Sequence, residues 1–289
     1  MKITIVTPCL NAEETIARTI VSVISQKKNV EYIVMDGGST DGTVDIVNTF
    51  SDNVATLISE KDSGHYSAVL RGFSMSSGEI MGWLGSDDIL LPGALSAVVD
   101  IFEAFPQVEW LTTLSPVLSS GGRLTHTVVP GFSRDALLDG VYGPIHRPRC
   151  VSAIQQESTF WRRSLWDRAG ATLNLDYHLA ADFELWARFS RLAKLHCTDV
   201  MIGAFGVRSG QISQRHHEDY DNQCEAILAR ERIHSGWVQR DTDPSGMRPY
   251  MGEYVIFHNE TVKVYSQPFF VVDAAKSDFK LMIRRRVIA

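Results

Sequence analysis

The stretch that decides the fold is residues 79–92, Glu-Ile-Met-Gly-Trp-Leu-Gly-Ser-Asp-Asp-Ile-Leu-Leu-Pro. Its apolar run, residues 80–84, predicts a buried strand. Asp87 and Asp88 follow that strand, and open α/β sheets bind their ligands just past the carboxyl ends of their strands. Hard oxygen ligands at such a place suit Mg²⁺ or Mn²⁺. The stretch fits a simpler alternative equally well, in which one aspartate caps a helix over residues 93–104 and the other is solvated.

Strands and helices alternate through the first third of the chain. Apolar and β-branched runs predict strands at residues 3–7, 32–35, 54–59, 80–84 and 108–113. Pro8 is expected to end the first strand, since proline cannot continue a central ladder. Apolar residues at helical spacing predict a helix between each pair of strands. This alternation predicts a mostly parallel sheet with helices on both faces, and it gathers the polar loops after the strands on one edge.

Composition excludes several classes of protein. The 289 residues can bury a large core, and the net charge of −6 argues against general nucleic-acid binding. The four cysteines are far apart and form no CxxC pair, as expected of reduced thiols and not of a zinc site. No apolar run approaches the ~18 residues of a membrane span, and the chain begins directly with a strand. We therefore expect a cytoplasmic protein.

Four motifs occur in order along this predicted sheet. They are Thr-Pro-Cys-Leu-Asn-Ala-Glu at 7–13, Val-Met-Asp-Gly-Gly-Ser-Thr-Asp-Gly-Thr at 34–43, Ser-Glu-Lys-Asp-Ser-Gly at 59–64 and Gly-Trp-Leu-Gly-Ser-Asp-Asp at 82–88. Together they resemble glycosyltransferase family 2, and the segments at 155–163 and 182–186 look like its acceptor side. The resemblance covers roughly residues 1–215. It implies the GT-A fold, a Rossmann-like α/β architecture, together with nucleotide-sugar donors and inversion at the anomeric carbon.

The resemblance assigns nucleotide-sugar binding to residues in and after the first four strands. These are Thr7, Pro8, Asn11, Glu13, Asp36, Asp62, Arg71, Ser86 and Asp87. By resemblance Asp36 accepts hydrogen bonds from the nucleotide base, as an ionised carboxylate can, and Arg71 suits a diphosphate. Simpler alternatives stay open: an Asx-turn for Asp36, a solvated helix position for Arg71, and a first-turn acid favoured by the helix dipole for Glu13.

The resemblance also implies a divalent cation, Mg²⁺ or Mn²⁺, with Asp87 as direct ligand and Asp88 beside it. The family often has an acid at position 85, where this chain has Gly85. Because such a cation usually leans on substrate phosphate, two carboxylates would suffice. Relatives also have a histidine that can approach the metal where this chain has Arg208, which cannot ligate a metal but could grip the diphosphate. His216 and His217 could take the place of that histidine, but the pair is better explained as the solvated start of a helix.

Asp182 is the catalytic base that the resemblance implies. Inversion needs an acceptor hydroxyl that loses its proton as it attacks, and a nearby carboxylate can take that proton. Two alternatives are left open by the residues themselves. Asp182 could be a helix N-cap, or Glu184, on a different side of the same helix, could be the base.

The predicted organisation has three parts. Residues 1–113 form the nucleotide-sugar-binding half of a GT-A domain, residues 114–215 its acceptor-binding half, and residues 216–289 a helical extension. The end of the chain, Lys-Leu-Met-Ile-Arg-Arg-Arg-Val-Ile-Ala at 280–289, interleaves basic and apolar residues. Such a tail suits peripheral contact with an anionic membrane surface, or it packs as a helix on the parent domain.

These observations favour a metal-dependent inverting glycosyltransferase. It would take a nucleoside-diphosphate sugar and a saccharide or lipid-linked saccharide acceptor, in synthesis of a cell-surface polysaccharide or glycoconjugate. A degenerate nucleotide-sugar-binding protein is the alternative: Gly85, Ser67 and Arg208 depart from the family's pattern and favour it, whereas Asp182 weighs against it. This chain has no glycine-rich, basic loop after its first strand, so a nucleotidyltransferase is a less favoured alternative. It also has no GxGxxG after that strand, which argues against a dinucleotide-dependent oxidoreductase.

Overall fold

The computed structural model describes most of the chain. The described residues are 1–26, 28–143, 150, 152–208, 211, 215–240, 247–258 and 261–272. The segment 241–246, in which Asp, Pro, Ser and Gly predict a linker, and the basic tail at 280–289 lie outside these residues.

Thirteen strands occur in the described residues. They are β1 (Ile3–Cys9), β2 (Val30–Asp36), β3 (Thr56–Ser59), β4 (Ile80–Trp83), β5 (Ile89–Leu90), β6 (Trp110–Thr113), β7 (Val117–Ser120), β8 (Arg123–His126), β9 (Phe160–Arg162), β10 (Leu195–Thr198), β11 (Gly203–Gly206), β12 (Met247–His258) and β13 (Thr261–Val272).

The helices lie between these strands. They are α1 (Ile16–Ile24), α2 (Thr43–Asn48), α3 (His65–Ser74), α4 (Ala94–Ala104), α5 (Arg134–Leu138), α6 (Arg163–Arg168), α7 (Ala181–Phe189) and α8 (His217–Ser235), with a 3₁₀ turn at Gln156–Ser158.

A nine-stranded sheet forms the centre of the protein, in the order β13-β12-β10-β6-β9-β4-β1-β2-β3. The first-third strands β4, β1, β2 and β3 run parallel to one another. β6 pairs in parallel with β10, and β9 is antiparallel to both of its neighbours. The predicted mostly parallel α/β sheet is therefore confirmed, and the carboxyl ends of β1 to β4 share one edge.

The sequence predicts that Pro8 ends strand β1. In the structure the strand instead continues to Cys9. The pairing explains why proline is tolerated. β4 pairs with β1 only as far as Val6, whereas β2 follows β1 up to the pair Cys9 and Asp36. Beyond Val6 the strand has a ladder on one side only, so Pro8 behaves like a residue of an edge strand.

The predicted helical extension over 216–289 is only partly helical. Helix α8 lies where expected, but β12 and β13 form a long antiparallel hairpin, and β12 joins the central sheet beside β10. Tyr250, Gly252 and Tyr254 are buried while Met251 and Glu253 between them face outward. This period of two is that of a strand, and it overrides the helical prediction for 247–272. The boundaries at 113 and 215 stay predictions.

A second, four-stranded sheet has the order β5-β11-β7-β8. β7 and β8 form a hairpin with Gly121-Gly122 at its turn. β5 follows directly after Asp88 and pairs antiparallel with β11. This pairing brings residues 203–208 into contact with the loop at 86–88. Local sequence patterns could not predict this contact, because the two segments are far apart in the chain.

An aromatic cluster fills the space between the central sheet and helix α7. Trp83 of β4 stacks on Trp186 of α7, with ring centroids 5.8 Å apart and planes 10° apart. Trp110 stacks on the other side of Trp186 at 5.6 Å, and Trp161 meets it edge-on at 5.6 Å. All four side chains are buried. The stack fixes α7 against the strand that precedes Asp87.

Candidate active site

Asp36 ends β2 and organises the glycine loop that follows. Its carboxylate accepts hydrogen bonds from Gly38 N at 3.2 Å, Ser39 N at 3.1 Å and Ser59 Oγ at 2.6 Å. Burial raises the pKa of Asp36, but the hydrogen bonds from Ser39, Ser59 and Gly38 outweigh it and hold that pKa below its ordinary value. The carboxylate is therefore an ionised acceptor. The Asx-turn alternative is observed, and base recognition by Asp36 stays a prediction.

Asn11 and Glu13 join the loop after β1 to the loop after β2. Asn11 has a positive φ of 48°, and its Oδ1 accepts a hydrogen bond from Thr40 N at 2.9 Å. Glu13 Oε2 accepts one from Gly42 N at 2.8 Å. Helix α1 begins at Ile16 and has no acid in its first turn, so the helix-dipole alternative for Glu13 is wrong. Both side chains instead join the two loops, and the space over the loops after β1, β2 and β3 is called the cleft below.

Thr7 and Pro8 are buried in β1, so only their backbone can form the floor of this cleft. Thr7 Oγ1 accepts a hydrogen bond from Tyr32 Oη at 3.1 Å, which uses its side chain in the core.

The loop after β3 closes the same cleft. Asp62 Oδ1 accepts a hydrogen bond from Gly64 N at 2.8 Å, and a Cβ on Gly37 would lie 3.0 Å from Asp62 Oδ2. Glycine at 37 thus lets the two loops touch. Arg71, in the last turn of α3, forms an ion pair with Glu60. Its predicted role at the diphosphate stays a prediction.

Side chains of helix α1 bind the backbone oxygens of residues 86–88. Thr19 is fully buried, and its Oγ1 contacts Ser86 O at 2.9 Å and Asp88 O at 2.7 Å. Arg18 Nη2 donates to Asp87 O at 3.2 Å. The two contacts of the buried Thr19 fix this backbone on the carboxyl edge of the sheet. Neither aspartate caps α4, whose N-cap is Gly93, so the capping alternative is wrong.

Asp88 points inward and is 4% exposed. Its Oδ1 accepts a hydrogen bond from Gly206 N, at the end of β11, at 2.8 Å. Any side chain at Gly206 would overlap the carbonyl oxygen of Asp87, so this approach requires glycine. Burial, and then the charge of Asp87, raise the pKa of Asp88 to about 7.

Asp87 is partly buried and is paired with a cation of the protein itself. Arg208 Nε donates to Asp87 Oδ2 at 2.7 Å, and Gln211 Nε2 donates to the same oxygen at 3.1 Å. Gln211 Oε1 also accepts a hydrogen bond from Arg208 N at 3.2 Å. The family's metal-proximal position is thus occupied by a guanidinium that contacts the predicted metal ligand directly.

The two aspartates fit a divalent cation that takes further oxygens from a ligand. A Cβ on Gly85 would lie 3.3 Å from Asp87 Oδ1 and 2.6 Å from Asp88 Oδ2, so both oxygens border one small space that a larger residue would fill. No group of three or more His, Cys, Asp or Glu side chains in the described residues could hold a metal. A site of two carboxylates suits Mg²⁺ or Mn²⁺ carried with phosphates.

Asp182 lies at the start of α7, partly buried. Its Oδ1 accepts hydrogen bonds from Phe183 N at 2.7 Å and from Tyr66 Oη at 3.1 Å. The N-cap of α7 is Ala180, so Asp182 is a first-turn residue and not the cap. Burial raises the pKa of Asp182 to about 6, although the bonds from Phe183 and Tyr66 oppose the shift. Such a carboxylate can accept a proton near neutral pH.

Glu184 is fixed in a different role. Its side chain is 3% exposed and forms ion pairs with Arg188 at 2.8 Å and with Arg230 of α8 at 2.8 Å. Both of its oxygens are therefore used, which favours Asp182 over Glu184 as the proton acceptor.

Glu157 is an acid near the site that the sequence did not single out. It lies in the 3₁₀ turn and is 2% exposed. Burial raises its pKa well above the ordinary range, and the charges of Asp88 and Asp182 raise it further. The turn therefore lies within electrostatic reach of both carboxylates. The neighbouring Gln156 donates to Trp83 O, which anchors the turn beside β4.

The architecture is shared with solved glycosyltransferases. TarS of S. aureus, in complex with UDP-GlcNAc, has a TM-score of 0.64 and 16% identity, with 83% of this chain and 68% of that chain covered. Mannosyltransferase PcManGT from Pyrobaculum calidifontis, in complex with GDP-Man and Mn²⁺, has a TM-score of 0.59 and 17% identity, with 79% and 64% covered. The fold is therefore that of the GT-A glycosyltransferases, as predicted.

Sequence comparison narrows the class to a family. The model of glycosyl transferase family 2 matches residues 4–128. An uncharacterized glycosyltransferase of Mycobacterium tuberculosis is 30% identical over 211 residues, which are 69% of this chain and 71% of that protein. A PGL/p-HBAD biosynthesis glycosyltransferase of Mycobacterium bovis is 30% identical over 189 residues, 62% of this chain and 66% of that protein. The chain belongs to glycosyltransferase family 2.

The prediction of a glycosyltransferase is thereby confirmed at the level of the family. The chain spans 66% of the length of the Mycobacterium bovis relative. No helix in the described part of the chain is long and apolar enough to cross a membrane.

Proposed function

We propose that this protein transfers a sugar from a nucleoside-diphosphate sugar to a hydroxyl group, with inversion and with the help of a divalent cation. One observation carries the proposal. The glycine loop of Asp36 and the pair Asp87 and Asp88 follow strands whose carboxyl ends share one edge of the sheet, and Tyr66, at the start of the helix after β3, donates a hydrogen bond that joins Asp182 to this edge. Ligands of open α/β sheets bind at this edge.

The nucleoside would occupy the cleft between the loops after β1, β2 and β3. The backbone at Thr7 and Pro8, the side chains of Asn11 and Glu13, and the carboxylates of Asp36 and Asp62 border it. Ser86 lies on the path from this cleft to Asp87. This order along the sheet edge supports a nucleoside at the β2 side and a diphosphate at the β4 side.

Asp87 and Asp88 would hold Mg²⁺ or Mn²⁺, with Asp87 as the more exposed ligand. Such a cation would supply neutralisation of the charge on the departing diphosphate. Asp88 would keep the loop in place through its bond with Gly206. The two carboxylate oxygens beside Gly85 support this assignment.

Asp182 would take the proton of the acceptor hydroxyl. As the acceptor oxygen bonds to the anomeric carbon, the bond from that carbon to the diphosphate breaks, and the proton passes to Asp182. A raised pKa keeps this carboxylate a useful base near neutral pH. The donated bond from Tyr66 would orient it toward the acceptor.

We propose a saccharide or lipid-linked saccharide as the acceptor, in polysaccharide or glycoconjugate synthesis. The name of the relative that acts in PGL/p-HBAD biosynthesis supports a glycoconjugate. A peripheral position at a membrane is a further part of this proposal, based on the basic sequence at 280–289. Deletion of 276–289 should reduce binding to anionic vesicles without lowering the melting temperature, whereas the reverse result would indicate a packed structural tail.

The test of the proposed function is release of nucleoside diphosphate from a panel of donors, with and without Mn²⁺, in the parent protein and in Asp182→Asn. We expect cation-dependent turnover that falls by about 10²–10⁴-fold in the variant, with nucleotide affinity unchanged by calorimetry. Glu184→Gln is the matched control, since it removes the neighbouring acid of the same helix.

A degenerate binding protein would behave differently. It would bind nucleotide, and Asp182→Asn would change nothing because the parent would not turn over with any donor. Near-parent turnover by Asp182→Asn together with loss in Glu184→Gln would show that the base has been assigned to the wrong carboxylate.

A further inference from the structure

Arg208 is the strongest feature of the site that the proposed function does not use. Its guanidinium contacts Asp87 Oδ2 at 2.7 Å, although its side chain is 54% exposed and that of Asp87 only 16%. The guanidinium therefore lies on the solvent side of the carboxylate, where a ligand entering the cleft would approach. Its exposure leaves the side chain free to turn toward another acceptor.

Gln211 holds Arg208 beside Asp87. Its Oε1 accepts from Arg208 N at 3.2 Å, while its Nε2 donates to Gly206 O at 2.5 Å and to Asp87 Oδ2 at 3.1 Å. The backbone on both sides of residue 207 is thus fastened to the carboxylate that the guanidinium covers. The pairing of Arg208 with Asp87 is built into the end of β11.

Arginine at this position has a different consequence from a metal-ligating side chain. It cannot join the coordination of a cation, since it has five donors and no acceptor. A cation at the carboxylate oxygens beside Gly85 would be repelled by this guanidinium, which is bound to the other oxygen of Asp87. A diphosphate changes the balance, because its oxygens bind a guanidinium in the same bidentate way as a carboxylate does.

We propose that Arg208 makes cation binding at Asp87 conditional on a nucleoside diphosphate. In the free protein Arg208 covers Asp87 and disfavours a cation alone. When a diphosphate is present, Arg208 moves from Asp87 to the phosphate oxygens, and the freed carboxylate accepts the cation. The inference rests on the proposed function, in that it takes Asp87 as the cation ligand.

This coupling is reciprocal, as for any two linked sites, and such couplings are typically about 5–150-fold in affinity. The nucleoside diphosphate must therefore tighten cation binding by the same factor by which the cation tightens nucleotide binding. Replacing Arg208 with a neutral residue should remove most of that factor.

The experiment measures Mn²⁺ binding to the full chain by electron paramagnetic resonance of the free ion, alone and with saturating UDP, and with GDP in parallel. The variants are Arg208→Gln, which removes the charge, and Arg18→Gln as matched control. Arg18 is also an exposed arginine at Asp87, but it donates to the backbone oxygen and not to the carboxylate. The variant Asp87→Asn shows how much of the bound Mn²⁺ depends on Asp87.

We expect Arg208→Gln to bind Mn²⁺ alone at least about tenfold more tightly than the parent, within the usual range of coupling between sites. The tightening of Mn²⁺ by nucleotide should shrink by a similar factor, and UDP without metal should bind more weakly. Arg18→Gln should resemble the parent. Near-ultraviolet circular dichroism establishes that each variant is folded.

Equal Mn²⁺ affinity in the parent and Arg208→Gln would overturn the inference while leaving a metal-dependent transferase intact. An equal gain in Arg18→Gln would overturn it too, because the effect would then be one of overall charge. If no Asp87-dependent Mn²⁺ binding occurs with any nucleotide, both the inference and the proposed cation site fail.

Discussion

Replacing Tyr66 with phenylalanine should shift the acid limb of the pH–rate profile upward. The phenol donates to Asp182 Oδ1 at 3.1 Å, and burial raises the pKa of Tyr66 well above 10, so it is a donor at every relevant pH. A donor favours the ionised form of its carboxylate. Without it the pKa of Asp182, already raised to about 6, rises further.

The size of the shift follows from the geometry. A hydrogen bond to a charged group is worth about 1.5–3 kcal/mol, and one pH unit corresponds to about 1.4 kcal/mol. The phenol also contacts Leu179 O at 3.0 Å, so its bond to Asp182 is shared and belongs at the lower end of that range. We expect a shift of about one unit. Turnover should fall about tenfold at pH 5.5 and change little at pH 8.

The assay is kcat at saturating donor and acceptor from pH 5 to 9, by release of nucleoside diphosphate. Glu157 is another acid within electrostatic reach of Asp182, so the comparison is repeated in the background of Glu157→Gln, where the effect of Tyr66→Phe must persist. Acid limbs that coincide within about 0.3 unit would refute the reasoning, since Asp182 would then not be the group whose ionisation limits turnover.

Three further predictions concern the residues that hold the site together. Glu184→Gln should lower the free energy of unfolding in urea by about 3–5 kcal/mol, because Arg188 would lose its buried partner, while kcat of the folded protein is retained. Gly206→Ala should abolish nucleotide-dependent Mn²⁺ binding in calorimetry, since its methyl group would overlap the backbone of Asp87; retained binding would mean that β11 does not shape the site. Asp139 is buried, and although burial raises its pKa, hydrogen bonds from residues of the segment after α8 hold that pKa below its ordinary value, so it stabilises the fold above pH 4 and loses this effect as pH falls. Asp139→Asn should therefore cost about 1–3 kcal/mol at pH 7 and less at pH 3, measured by urea unfolding at both values.

The sequence predicted those features of the site that are written in local patterns. The apolar run of β4 followed by Asp87 and Asp88, and the strand-ending Asp36, lie where their spacing placed them. Parallel strands have their carboxyl ends on one edge, so a pattern of strands and polar loops suffices to predict a shared cleft. The roles of these residues came from the resemblance to a family, and the experiments above decide them.

Contacts between distant parts of the chain could not be predicted in this way. Gly206 donates to Asp88, 118 positions earlier, and Tyr66 donates to Asp182, 116 positions later. Such long-range contacts produce no periodic pattern in the sequence. Each partner alone looks like an ordinary residue at the end of a strand or the start of a helix. The strand hairpin of 247–272 was missed for a related reason, since pairing with β10 decides its conformation and local propensity does not.

The position of β9 has a consequence for how the protein is synthesised. This strand, Phe160–Arg162, lies between β4 and β6 and is antiparallel to both. While a ribosome has produced only the first 113 residues, β6 has no neighbour on the β4 side, and the buried faces of Trp110 and Leu111 have nothing to pair with. We therefore expect β6 to stay unpaired until β9 has been synthesised. For the same reason we expect a fragment that ends at residue 113, which lacks both sheet neighbours of β6, to be less stable than the whole chain.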